Sequence, residues 1–353
     1  MKKLFILAAA IIALASCQKE QASYVEDGSI KFTTAQTRAT VVSDEATLTR
    51  KGFKVLGYAQ QGSNTADKLF DSEKANSNGT WWEMTTKKYW ADNTNYNFFA
   101  VYDSVNNETQ TAKFAEATFN GNYATTTYSF NNTGENDLII AGTSVNVGET
   151  GRTAPANLTF KHALSRVAFK FVNGYKSGEG TNVFLKIEGL KLLNKAGEAI
   201  VTLNNTESAF DFSWGELTSP SHINYMVENE FSGADRISQS TYGTVNGKEQ
   251  ITDTVFAITD YKYILPATDE SYSIQCKITA YDAKNNVIRV FDYITAEGTL
   301  VKTSKAETLT HEAGKSYIYT MIVTQKLNEI MFDVEVEDWD DAQETEIVFP
   351  GAN

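Results

Sequence analysis

The most reactive side chains of this 353-residue chain belong to two cysteines and three histidines, at Cys17, His162, His222, Cys276 and His311. The histidines are far apart in sequence and lack the short spacing of zinc ligands, which argues against a metal site. Cys276 occurs in an alternating, strand-like run with no base predicted beside it, so we interpret it as a core residue and not as a nucleophile.

Other arrangements that perform catalysis are not recognisable in the sequence. It has no Ser-His-Asp order, no paired carboxylates in a catalytic setting and no glycine loop that would hold a phosphate. Acidic pairs such as Asp340 and Asp341 are typical of a solvated surface. We therefore predict a protein that is not an enzyme and that uses no cofactor and no metal ion.

Cys17 ends an N-terminal segment that has a chemistry of its own. Two lysines precede an unbroken apolar run over residues 4–15, as in a secretory signal. The run is too short to span a membrane as a helix, which takes about 20 residues. Residues 14–17, Leu-Ala-Ser-Cys, resemble the bacterial lipobox, whose cysteine is acylated and becomes the first residue of the mature protein. We expect the signal to end at residue 16 and Cys17 to carry acyl chains such as palmitate.

Length and charge limit the domain organisation and the partners. About 100–200 residues per domain predict two domains after the signal. The formal net charge of −13 argues against binding to nucleic acid or to an anionic membrane surface. We predict a signal peptide at 1–16, a flexible tether at 17–28, an N-terminal domain at 29–157 and a C-terminal domain at 158–353.

The patterning indicates an all-β protein. Only four prolines are present, and short alternating runs bounded by Gly, Asn, Asp and Ser recur along the chain. This pattern predicts β-sandwiches or barrels and not a parallel sheet covered by helices.

The strongest core signal lies between Leu158 and Val172. Apolar residues occupy even positions up to Leu164 and odd positions from Val167 onwards. A strand cannot change parity without exchanging its faces, so we predict a bulge or one helical turn at Ser165-Arg166. His162, within this run, is interpreted as a structural residue.

The tryptophans permit a second interpretation. Trp81, Trp82 and Trp90 invite a sugar-binding hypothesis because aromatic faces stack on sugar rings. The alternative is that these side chains pack a sandwich core, and this is the interpretation that we favour. A surface glycan-binding lipoprotein therefore stays our alternative prediction for the function.

The last strong strand pattern lies near the C-terminus. It has four apolar residues of one parity and acidic residues of the other, so it can be an edge strand or leave its domain. Burial of four such side chains is worth roughly 6–12 kcal/mol before ordering costs, comparable with the stability of a whole domain, about 5–15 kcal/mol. The four residues are Ile330, Phe332, Val334 and Val336.

Several short motifs, in order along the chain, resemble those of the Bacteroidetes fimbrillins, the subunits of type V pili. They are Ile30-Lys31-Phe32 followed by Thr37-Arg38-Ala39, the run Phe160-x-His162-Ala163-Leu164-Ser165-Arg166-Val167, Ile264-Leu265-Pro266, Gly314-Lys315-Ser316-Tyr317 and Val336-x-x-Trp339. Each motif is short, so the specificity lies in their order and in the lipobox.

The resemblance implies two β-sandwich domains of transthyretin-like topology and a lipoprotein at the surface of the outer membrane. It also implies cleavage after an arginine by an extracellular arginine-specific protease, at Arg38 or at Arg50, of which we favour Arg38. Cleavage would free the first strand, and a strand from the C-terminal part of a neighbouring subunit would replace it. The implied partners are other pilus subunits in a head-to-tail fibre that supports adhesion.

Overall fold

The computed structural model describes residues 28–35, 51–104, 114–176, 182–207, 209–225, 227–228, 236–253, 256–266, 274–294, 311–324 and 331–338. Every named element among them is a strand, which confirms the all-β prediction. None of the described residues forms a helix long and apolar enough to cross a membrane.

The strands of the N-terminal half and of the crossover to the C-terminal half are β1 (Phe32–Ala35), β2 (Phe53–Gln61), β3 (Asp67–Ser77), β4 (Trp82–Met84), β5 (Thr94–Asp103), β6 (Thr118–Asn120), β7 (Tyr123–Asn132), β8 (Leu138–Val147), β9 (Ala156–Thr159), β10 (Lys161–His162), β11 (Ser165–Asn173) and β12 (Phe184–Asn205). The strands that follow are β13 (Phe210–Trp214), β14 (Thr218–Asn224), β15 (Val227–Glu228), β16 (Thr241–Val245), β17 (Lys248–Asp253), β18 (Phe256–Thr259), β19 (Lys262–Ile264), β20 (Ile274–Tyr281), β21 (Val287–Ile294), β22 (Lys315–Val323) and β23 (Met331–Asp338).

An eight-stranded sheet encloses the N-terminal core. Its order is β10-β8-β5-β2-β3-β4-β1-β9. The two end strands, β9 and β10, are consecutive in the chain and are separated only by Phe160, so one short segment lies at both ends of the sheet. Phe53, Phe98 and Leu158 are buried inside it.

A second core lies on the outer face of this sheet. In β5, even residues such as Phe98 point into the enclosed core, whereas Phe99 and Val101 belong to the outer cluster. This parity follows from the alternation of side chains along a strand. Strands β7 and β12 cover the outer face with residues such as Tyr128 and Val201. Strand β5 is therefore buried on both faces.

The C-terminal core lies between two further sheets. One has the order β15-β18-β11-β22-β23, with β19 also paired to β11, and the other has β21-β20-β12-β7-β6, with β13 and β14 also paired to β12. Phe169 of the first sheet and Ile278 of the second are buried in the same cluster. This is the layered packing expected of a β-sandwich.

Strand β12 runs through both halves of the molecule. Its first part pairs with β20 and its second part with β7, and its register shifts between Glu188 and Lys191. Leu185 accordingly lies in the C-terminal core and Leu203 in the outer cluster of the N-terminal sheet. The domain boundary at 157/158 and the transthyretin-like topology stay predictions.

The change of parity in the 158–172 run has a different origin from the one predicted. Strand β10 ends at His162 and β11 begins at Ser165, so the chain passes from one sheet to another through Ala163 and Leu164. Both linking residues are buried in the outer cluster. The expected bulge or helical turn at Ser165-Arg166 is therefore wrong, because two separate sheets need no shared parity.

Candidate functional site

The first strand occupies a gap between two other strands. Phe32 pairs with Trp82 of β4 in the antiparallel sense, and all four residues of β1 pair with β9 in the parallel sense. The residues before β1 continue the contact, since Ile30 N–H donates to Lys88 O at 2.7 Å. Among the described residues, β9 finds its strand partner in β1. Segment 28–35 therefore links β9 to the rest of the N-terminal sheet.

Two side chains hold this segment in the core. Ile30 and Phe32 are buried, and the Phe32 ring contacts those of Phe70 and Phe98. Full burial of such side chains is worth about 1.5–3 kcal/mol each, hence roughly 3–6 kcal/mol for the pair. We use the name first-strand groove for the space that these two residues fill between β4 and β9.

The opposite face of the segment is polar. Lys31 lies over the Trp81 ring, with 4.2 Å from Nζ to the centroid, and its Nζ is 3.7 Å from a Glu83 carboxylate oxygen. Thr33 Oγ1 donates to Asn157 Oδ1 at a long 3.4 Å. The Thr33 contact is exposed, whereas Lys31 is itself buried. The attachment of segment 28–35 therefore combines the burial of Ile30 and Phe32, the Lys31 contacts and the strand hydrogen bonds.

Several predicted site residues lie outside the described residues. These are Cys17, Arg38, Arg50 and Ile330. In sequence, Arg38 comes three residues after the last residue of β1 and Arg50 three residues before the first residue of β2. Lipidation and both cleavage positions stay predictions.

The other predicted donor residues belong to β23. The register places Phe332 opposite Met321, Val334 opposite Tyr319 and Val336 opposite Tyr317. The three β22 residues are buried core residues. Strand β23 is the last in its sheet and pairs on one side with β22, and no described strand pairs on its other side. It is an edge strand, one of the two possibilities that the pattern left open.

The tryptophans pack and do not form an exposed platform. Trp82 is buried against Phe53, with ring centroids 4.8 Å apart. Trp90 is partly buried between Tyr96 and the Arg152 guanidinium. The Trp81 indole N–H donates to Glu83. This arrangement supports the packing interpretation over a sugar site built on these three residues.

His162, His311 and Cys276 are buried and make contacts typical of structural residues. His162 Nδ1 is 2.8 Å from the Asp137 carboxylate, and both groups lie in the interior. His311 Nε2 is 2.7 Å from the Tyr319 hydroxyl, and burial lowers the pKa of His311 to about 3. Burial raises the pKa of the Cys276 thiol to about 12, which disfavours the reactive thiolate. The described residues contain no group of three acidic, histidine or cysteine side chains that could hold a metal ion.

Solved structures and a protein-family model match this chain. The chain shares its fold with a fimbrial protein from Bacteroides vulgatus, with 15% identity, a TM-score of 0.54, and coverage of 88% of this chain and 99% of that one. A protein from Bacteroides uniformis proposed to act in cell adhesion also aligns, with 15% identity, a TM-score of 0.43, and coverage of 88% and 98%. No curated protein is detectably similar in sequence. A model described as fimbrillin-like matches residues 37–339, most of the length, so the chain belongs to the fimbrillin-like family.

Proposed function

We propose that this protein is a structural subunit of a cell-surface pilus of type V that supports adhesion. The observation that carries the proposal is the first-strand groove, which is filled by a short segment next to a predicted protease site. Membership of the fimbrillin-like family supports the same assignment. The function is assembly, and no catalytic role is assigned to any residue.

Export and activation precede assembly in this proposal. Cys17 is acylated and anchors the subunit to the outer membrane, where two or more acyl chains give the stable attachment that one cannot. An extracellular arginine-specific protease then cuts after Arg38, with Arg50 as the alternative. A cut at Arg38 separates β1 from β2, because β1 ends at Ala35 and β2 begins at Phe53. Segment 28–35 is then held by non-covalent contacts alone.

Strand exchange drives assembly. The freed segment buries two large apolar side chains, whereas the donor sequence offers four, at Ile330, Phe332, Val334 and Val336. The difference is roughly 3–6 kcal/mol in favour of the donor, before ordering costs and before the cost of releasing β23 from its pairing with β22. Main-chain hydrogen bonds of the added strand supply affinity, and alternating side chains set the register.

The product of this exchange is a fibre in the proposal. The groove belongs to the N-terminal sheet, and β23 is the edge of a sheet in the C-terminal half. A contact between two different surfaces of identical or related subunits is head-to-tail and does not close on itself. Other copies or paralogous subunits are therefore the partners.

The test is limited digestion of purified residues 18–353 with an arginine-specific protease. The digest is run unheated on a denaturing gel, and the new N-terminus is sequenced. We expect one cut after Arg38 and a ladder of heat-sensitive oligomers. Arg38→Ala should abolish both, and the matched variant Arg50→Ala should leave both unchanged.

Two outcomes would contradict parts of the proposal. A ladder that survives in Arg38→Ala but is lost in Arg50→Ala would move the cut to the alternative site. Resistance at both arginines, or a clean cut without oligomers, would remove strand exchange as the role of this subunit.

A further inference from the structure

The outer face of the N-terminal sheet changes its chemistry along β5 and β8. Where β7 and β12 cover it, the residues are apolar, such as Val101 and Ile140. Beyond Phe99 and Ile140, the positions of the same parity are Asn97 and Asn95 in β5 and Gly142, Ser144 and Asn146 in β8. A sheet face that simply meets solvent commonly carries charged residues, whereas this one carries amides, a hydroxyl and a glycine.

A cleft of about 610 Å³ lies over this polar part of the face. One wall is the turn between β6 and β7 with Asn122 and Tyr123, and another is the connection from β12 to β13 with Thr206 and Phe210. The third wall is the β9–β10 segment. The volume of the cleft is in the range of small-ligand sites.

A buried amide network forms the floor of the cleft. Asn97 is 1% exposed. Its Oδ1 accepts hydrogen bonds from Ala124 N–H and Ser144 Oγ, and its Nδ2 donates to Asn122 O at 2.9 Å. At the surface, Asn95 Nδ2 donates to Asn122 Oδ1 at 2.9 Å. These bonds fix the orientation of the floor before any ligand binds, and such preorganisation favours affinity.

Asn205 supplies a hydrogen-bond acceptor that is not used. It is 2% exposed, it lines the cleft, and its Nδ2 donates to Asn97 Oδ1, Phe98 O and Thr143 O. Its Oδ1 accepts no hydrogen bond from any residue that the structure describes. A buried acceptor without a donor costs about 1–3 kcal/mol. Because this oxygen has less than 1 Å² of accessible surface, a ligand hydroxyl recovers that free energy when the Asn205 side chain turns toward the cleft.

The absence of a side chain at Gly142 leaves room for this acceptor and for an aromatic ring beside the cleft. A Cβ at position 142 would lie 2.6 Å from Asn205 Oδ1 and 2.2 Å from the Phe210 ring. Only glycine allows both groups to approach β8 this closely. Tyr123, in the wall that the β6–β7 turn forms, gives the cleft a second aromatic ring.

We infer that this cleft binds a neutral oligosaccharide. Amides and hydroxyls on the floor match the donors and acceptors of sugar hydroxyls, and the rings of Tyr123 and Phe210 offer surfaces for the apolar faces of sugar rings. The charged lining residues in the described part of the chain are one cation, Lys161, and one anion, Glu207, so the site favours no net charge. The site lies apart from the first-strand groove and from the tryptophans discussed above.

Other ligand classes fit less well. A peptide that adds a strand needs an unpaired main-chain edge. Strand β5 is hydrogen-bonded on both sides, by β2 and β8. The part of β8 beyond Ile140 pairs with no described strand on its other side, but its Thr143 carbonyl already accepts a hydrogen bond from the Asn205 side chain. A polyanion would meet a chain of net charge −13 and one lysine. A polyhydroxylated neutral ligand uses the groups that the cleft offers.

The test measures binding by uncleaved residues 18–353, so that its result does not depend on pilus assembly. The probes are maltohexaose, cellohexaose, mannohexaose and lacto-N-neotetraose, with sialyllactose and a polar hexapeptide as comparison ligands, and the method is calorimetry supported by saturation-transfer NMR. We expect saturable binding of at least one neutral probe. Tyr123→Ala and Asn146→Ala should weaken it at least tenfold with an unchanged melting temperature.

The matched control is Asn131→Ala, which removes another exposed strand asparagine, in β7 and away from the lining. It should bind as the unmodified chain does. Absence of binding by every neutral probe, binding of only the acidic sugar or the peptide, or equal affinity of the Tyr123 and Asn146 variants and the unmodified chain would overturn the inference.

Discussion

The Phe32 ring meets the Phe98 ring edge-to-face, with centroids 5.0 Å apart and an interplanar angle of 86°. Phe32 belongs to β1, and Phe98 belongs to β5 on another part of the same eight-stranded sheet. This contact ties the segment that we expect to be exchanged to the centre of the N-terminal core. The occupant of the first-strand groove is thus a core component, and its replacement must supply equivalent burial.

Phe32→Ala should lower the free energy of unfolding of the uncleaved chain by about 3–5 kcal/mol, because it leaves a cavity among Phe70 and Phe98. Urea denaturation followed by fluorescence measures the change. Thr33→Ala, on the opposite face of β1, is the control and should change it by less than about 1 kcal/mol. Equal effects of the two substitutions would contradict the anchoring role of Phe32.

A peptide of residues 330–338, added during digestion at Arg38, should shorten the oligomer ladder. It supplies the proposed donor strand and would occupy the groove of each cleaved subunit without a second subunit attached. Gel analysis against peptide concentration checks this. The same peptide with Val334→Asp should be inactive, because a carboxylate would have to be buried in an apolar groove. If both peptides act alike, the inhibition does not come from the groove.

The stability of the protein should fall as the pH decreases below about 6.5. In the folded state burial, together with the positive charge of Lys195, lowers the pKa of His311 from 6.5 to about 3. Between these values the unfolded chain binds a proton that the folded chain does not, so protonation favours unfolding. The loss attributable to His311 from pH 7 to pH 5 is about 2 kcal/mol.

Urea unfolding of His311→Gln at pH 7, 6 and 5 isolates this term. The variant should show a shallower pH dependence than the unmodified chain, whatever its absolute stability. His222→Gln alters an exposed histidine and should retain the original dependence. An unchanged slope in His311→Gln would show that other groups control acid sensitivity.

Cys276 should be inert in the folded protein. It is the sole cysteine of residues 18–353, it is 3% exposed, and burial raises its thiol pKa to about 12. Ellman's reagent at pH 8 should detect no thiol in native buffer and one thiol per chain in 6 M guanidinium. Rapid reaction in native buffer would indicate an accessible thiolate and would contradict the core assignment.

The sequence by itself determined the fold class and much of the core. Alternation of apolar and polar residues specifies a strand through local geometry alone, because successive side chains point to opposite faces. It was therefore sufficient for the run around Cys276, which forms β20, for the C-terminal run, which forms β23, and for the structural role of Cys276. The ordered short motifs likewise led to the fimbrillin-like family, which the family model then confirmed.

Only the tertiary structure decided which strands are neighbours. Pairing of β1 with β9, residues about 120 positions apart, depends on long-range register, which no local pattern contains. For the same reason the sequence placed the break in the 158–172 run at Ser165-Arg166, whereas the change of sheet occurs at Ala163 and Leu164. The cleft floor has a similar origin, because Asn97, Gly142 and Asn205 come from three strands and have no distinctive spacing in sequence.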